Sequence, residues 1–134
     1  MYINPIDNRQ NINSKARLSL LAEKNLLPKD AAKQFKQKAE TIGRKDDLIS
    51  IAIMPKMFTV KGPVNMGYQI GDDKTNHFGG WHTRISIIHV LKDINSFKDE
   101  GNIIIEGSHK ERKRKTFDFI NNYLDNLKKE YHKL

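Results

Sequence analysis

The chain contains no cysteine, so disulfides, thiolate metal sites and thiol nucleophiles are all excluded, and side-chain packing alone must hold the fold. Nor does it contain an apolar run long enough to cross a bilayer, and the polar start "MYINPIDNRQ" lacks the apolar centre of a signal peptide. These absences lead to the expectation of a cytoplasmic protein without a membrane partner. Acidic side chains are in deficit: 16 Asp and Glu stand against 24 Lys and Arg, a net charge of +8. Such an excess attracts polyanions, and nucleic acid is the first to consider. The sum alone identifies no binder, because Lys-, Ile- and Asn-rich usage also follows from AT-rich coding. At 134 residues with 37% apolar side chains, a single domain over residues 1–134 with one modest core is expected.

The spacing predicts an α+β chain in three parts. An N-terminal helix pair is expected over about residues 13–43, after a short edge strand at "YINPI". Asn13 or Ser14 would cap the first helix, whose apolar face holds Leu18, Leu21 and Ala22, and the joint falls at "NLLPK". The second helix begins near Pro28, carries Ala31, Ala32, Phe35, Ala39 and Ile42, and closes at Gly43. From Leu48 to about residue 106 the texture is β-branched. Here "LISIAIM", "MFTVKG", "NMGYQIG", "TRISIIHVL" and "NIIIEG" read as strands of a small antiparallel sheet, with Pro55, Pro63, Gly71, Gly79, Gly80 and Gly101 as punctuation. A C-terminal amphipathic helix over about residues 109–132 follows. Ser108 and Glu111 have capping-box spacing, and Phe117, Ile120, Leu124, Leu127 and Tyr131 make one apolar stripe.

Behind the strand expected at residues 102–106, with its three isoleucines, five of the seven residues 109–115 are cations: Lys110, Arg112, Lys113, Arg114 and Lys115. Cations at a helix start oppose the macrodipole, so stability does not explain them, whereas a phosphate to be bound does. RNA cleavage would suit such a site, because the 2′-OH is a built-in nucleophile. An enzyme need only orient it, take its proton, neutralise the phosphorane and protonate the leaving oxygen. His82, Arg84, His109, Lys110 and Arg112 are the candidates, with Lys61 on an earlier strand. Strand alternation puts His82 and Arg84 on one face and Thr83, Ile85, Ile87, His89 and Leu91 on the other, which suggests a structural role for His89. Trp81 offers a face for base stacking, or packing for a core or lid. The five histidines have no carboxylate cluster beside them, so neither a metal site nor a cofactor is expected.

The succession "MGYQIGDDKTNHFGGWHTRISIIHVLKD … GNIIIEGSHKERKRKTFDFINNYL" resembles the RelE/HigB class of toxins, over about residues 57–125. That resemblance implies a helix pair before a small antiparallel sheet and an endonuclease acting on ribosome-bound mRNA. It also implies an acidic antitoxin or inhibitor protein that covers the basic site. Arg84 stands where the family has its strand arginine, with His109, Lys110 and Arg112 where it has basic residues after the last strand. Lys61 matches its earlier lysines. His82 is added to Arg84 and His109 as a catalytic candidate, and Lys113, Arg114 and Lys115 to the phosphate contacts. Two other readings remain open: a non-catalytic basic module that binds nucleic acid or an acidic partner, such as a phage host-takeover factor, and an assembly protein that neutralises packaged nucleic acid.

Overall fold

The computed structural model describes residues 16–62, 68–69 and 76–133. Within them the order is β1 (Arg17–Ala22), α1 (Ala31–Ala39), β2 (Leu48–Gly62), β3 (Tyr68–Gln69), β4 (Asn76–Leu91), β5 (Ser96–Ile105) and α2 (His109–Tyr131). The sheet is mixed. β1 lies parallel to β2, β2 and β4 form a long antiparallel pair, and both β3 and β5 pair with β4.

This corrects the expected N-terminal helix pair and the all-antiparallel sheet. The segment expected to form the first helix is β1 from Arg17 on, so α1 alone is helical and a β–α–β unit stands in place of the pair. Leu18, Leu21 and Ala22 fit a helical face, but Leu18 and Leu20 equally fit one side of a strand, and short apolar runs carry both periods. Pairing decides between them: Arg17 and Glu23 donate to the carbonyls of Asp47 and Ile53 (3.0 and 3.1 Å), beside the buried Ile49, Ile51 and Ile53. The "NLLPK" joint is a turn in which Asn25 is left-handed (φ 68°), and α1 starts only at Ala31, after a left-handed Asp30. The expected "YINPI" strand and the Asn13 or Ser14 cap lie outside the described residues.

Two further boundaries differ. "LISIAIM" and "MFTVKG" are one 15-residue strand that runs through Pro55. The Ile53 carbonyl faces β1, so alternation turns the backbone of Pro55 the same way. β1 has ended opposite Ile53, and the missing N–H of Pro55 therefore costs no ladder bond. Gly79 and Gly80 lie inside β4 and Gly101 inside β5, rather than between strands.

α1 and α2 cover one face of the sheet. Ile85, Ile87 and Leu91 of β4 and Ile49, Ile51 and Ile53 of β2 meet Phe35, Ile120 and Leu124 there, and the Phe35 and Phe117 rings stack at 5.4 Å. α2 is closed by the expected capping box: Ser108 Oγ accepts from the Glu111 N–H (3.2 Å), and Glu111 Oε1 accepts from the Ser108 N–H (3.1 Å). Lys38 and Asp125 join the helices by an ion pair of 2.6 Å.

Gly43 closes the turn after α1 with φ +76°, and a Cβ there would stand 2.7 Å from the Ala16 Cβ. Gly43→Ala is therefore expected to destabilise the protein by about 1–3 kcal/mol, read as a lower urea midpoint at unchanged slope.

Candidate nucleic-acid interface

β4 is paired with β2 from Asn76 to Val90, but its other edge is paired only in parts. β3 covers Asn76 and His77, and β5 begins at the pair Thr83 and Ile105. Residues 78–82 of β4 are thus left without a strand on that side, among the described residues. A cleft of roughly 550 Å³ opens there, lined by Phe58, Gly80, Trp81, His82, Glu106, Gly107 and Arg112.

Each wall follows from local structure. β5 stops at Ile105, and the chain turns through Glu106 and Gly107 into α2, which brings the first turn of the helix over the exposed edge. Arg112 is fixed in place: its Nε donates to Thr83 Oγ1 (3.2 Å) and its Nη1 to the Gly107 carbonyl (2.7 Å). Phe58 pairs with Gly80 across β2 and β4, and a Cβ at Gly80 would meet the Phe58 ring at 2.9 Å. Glycine is what lets the ring lie flat over the strand, stacked on His82 at 4.1 Å and 18°. Trp81 is 52% exposed, so its face is open to solvent instead of packed in the core.

The sequence-predicted residues divide. His82 and Arg112 line the cleft. His109 is the first residue of α2, one turn before Arg112, and it and Lys110 are exposed beside the opening. Arg84 shares the sheet face away from the helices with His82, as alternation requires, but it stands between Met54 and Ile104, and it does not line the cleft. Its Nε is shut off from solvent with no hydrogen-bond partner among the described residues. The basic run is divided around the helix, because at about 100° per residue Lys113 and Arg114 project away from Arg112, whereas Lys115, three residues on, returns to its side. Arg114 pairs with Asp118 (3.2 Å), Lys115 donates to the Glu106 carbonyl (3.1 Å), and Lys113 is half-buried. Lys61 is opposite His77, seven residues beyond Met54 (61 − 54), hence about 24 Å along the hairpin from Arg84. Its side chain lies outside the described part.

Sequence reasoning missed Phe58 and Glu106. Phe58 gains its role only through the Phe58–Gly80 register, and the bulky aromatic opposite a strand glycine was the available signal. Glu106 is a carboxylate on the same cleft as His82 and Arg112, a combination able to remove and supply protons beside a held anion.

His89 lies on the covered face at 5% exposure, where Ser96 Oγ meets its Nε2 (2.8 Å) and the Tyr123 hydroxyl its Nδ1. Burial lowers its pKa from the ordinary 6.5; Glu130 opposes the shift and Lys98 adds to it. Burial likewise pushes the Tyr123 hydroxyl up. The folded state therefore prefers neutral His89, and its contribution is complete above pH 6.5 and lost as pH falls below that value. Urea midpoints measured from pH 7.5 down to 5 are expected to fall, and His89→Gln should flatten that dependence.

Among the described residues, no helix is long and apolar enough to cross a membrane, and no three His, Asp or Glu side chains stand close enough to hold a metal ion. Compared with family models, with curated proteins and with solved structures, the chain matches none.

Proposed function

We propose that this protein binds single-stranded RNA in the cleft at the free edge of β4. The observation that carries the reading is that two exposed aromatic rings border one opening at the edge of β4, Phe58 with His82 from one face of the sheet and Trp81 with Arg112 from the other. Aromatic faces beside cations suit bases that are already unstacked, since every base offers a π-face and duplex bases do not expose theirs. Arg112, His109 and Lys110 then meet the backbone, in a protein whose net charge of +8 draws RNA in. A cytoplasmic location follows from the same reading.

Binding is tested by electrophoretic shift of a single-stranded RNA against its duplex. The single strand should bind more tightly, and log K should fall with log salt at a slope of about −1.4, the value for the two phosphates that Arg112 and Lys110 neutralise on a single strand. Equal affinity for the duplex, or no salt dependence, contradicts the reading.

A second reading, RNA cleavage, is favoured by Glu106, His82 and Arg112 on the one cleft. Glu106 takes the 2′-OH proton, the oxygen attacks phosphorus, Arg112 neutralises the phosphorane, and His82 protonates the departing 5′-oxygen. The products are a cyclic phosphate and a 5′-hydroxyl, and the step uses no metal or cofactor. In the toxin form of this reading the target is ribosome-bound mRNA, and an acidic antitoxin covers the cleft. Induced expression followed by mapping of RNA 5′ ends decides it: new ends absent from His82→Ala and Glu106→Ala support cleavage, and no new ends leave binding alone.

A further inference from the structure

On the far side of the sheet from the cleft, β1 is an edge strand beside α1. Its odd residues face β2, as the Arg17 and Glu23 donations show, while Ala16 turns the other way and donates to the Ile42 carbonyl (3.0 Å). By the same alternation the N–H and C=O groups of Leu18, Leu20 and Ala22 face outward, where no strand pairs with β1 among the described residues. Alongside runs a groove of roughly 430 Å³ lined by Leu18, Leu20, Ala32, Lys33 and Lys36. Its floor is apolar, and its helix side is cationic. A second hollow continues it past Leu18 and Lys36 toward Arg17 and Glu40.

We propose that this groove takes an extended acidic segment of another protein, added as a strand to the outer edge of β1. Backbone bonds to residues 18, 20 and 22 would hold the strand. Its acidic side chains would turn to the α1 side, their methylenes over Leu18 and Leu20 and their carboxylates at Lys33 and Lys36, about 5 Å apart between Cβ atoms on α1, and its apolar side chains would lie on the opposite face. Charge selects this occupant over the alternatives. Residues 1–15 of the chain carry one acid, Asp7, against Arg9 and Lys15, so they do not complement two lysines. A second copy brings another +8. The proposal is independent of RNA binding.

Amide hydrogen exchange on the full chain tests it, using an end-blocked synthetic octapeptide that alternates valine with aspartate or glutamate, and a control with lysine in the acidic positions. In the free protein the Leu18, Leu20 and Ala22 amides should exchange readily, and the acidic peptide alone should protect them. Reversing Lys33→Glu together with Lys36→Glu, both exposed positions, should weaken binding about tenfold. Protection of those amides before any peptide is added would mean the edge is already covered, by the chain's own residues or a second copy, and overturns the proposal. So would protection only around Trp81, or affinity indifferent to the charge reversal. The exchange comparison uses the unaltered protein, so it stands even where the double variant fails to fold.

Discussion

Phe35→Ala lowers the free energy of unfolding by about 3–5 kcal/mol, the range for removing a buried aromatic ring. Phe35 is fully buried, stacks on Phe117 and belongs to the same core as Ile49, Ile51 and Ile120. α1 has nine residues, too few to persist without tertiary support, so this ring anchors the whole β1–α1–β2 unit. The loss is a large share of the roughly 5–15 kcal/mol that holds a typical domain. Urea unfolding followed by far-ultraviolet dichroism measures it. Phe58→Ala is the control: that ring lies at the rim of the cleft, and the same truncation should cost little stability. A Phe35→Ala loss below about 1 kcal/mol would contradict the placement of α1 on the sheet.

Trp81→Ala weakens binding of single-stranded RNA by about 5- to 150-fold, since a base stacked on an aromatic ring is worth about 1–3 kcal/mol. The indole is half exposed, so the fold should tolerate the change. Fluorescence anisotropy of a labelled RNA measures the affinity, with unfolding midpoints taken in parallel. Arg112→Ala should also weaken binding strongly, because it removes a cation and frees the Gly107 turn it braces. Arg84→Ala should change affinity far less, since Arg84 does not line the cleft. If Arg84→Ala weakens binding more than Trp81→Ala, the interface is the sheet face away from the helices instead.

The start of α2 was legible because Ser108 and Glu111 act within one turn, and local rules suffice there. The two faces of β4 were legible too: Thr83, Ile85, Ile87, His89 and Leu91 are all buried, as period-two alternation requires. β1 was not, since Leu18, Leu20 and Leu21 satisfy both periods and only the distant Ile49–Ile53 strand decides between them. The cleft was half legible. His82 and Arg112 are polar groups of obvious chemistry, but their meeting depends on β5 stopping opposite Thr83, which no local pattern encodes. The basic run suggested a single patch because composition shows charge and not direction. On the helix, Arg114 turns to Asp118, while Arg112 and Lys115 turn back to the Gly107 and Glu106 carbonyls.

Trp81 is the only tryptophan in the chain, so its intrinsic fluorescence reports on the cleft and nothing else. Titration with a single-stranded RNA should quench that emission along the same curve that anisotropy records for binding, and added salt should reverse it. Binding by anisotropy with no change in tryptophan emission would place the RNA elsewhere on the protein and contradict the account.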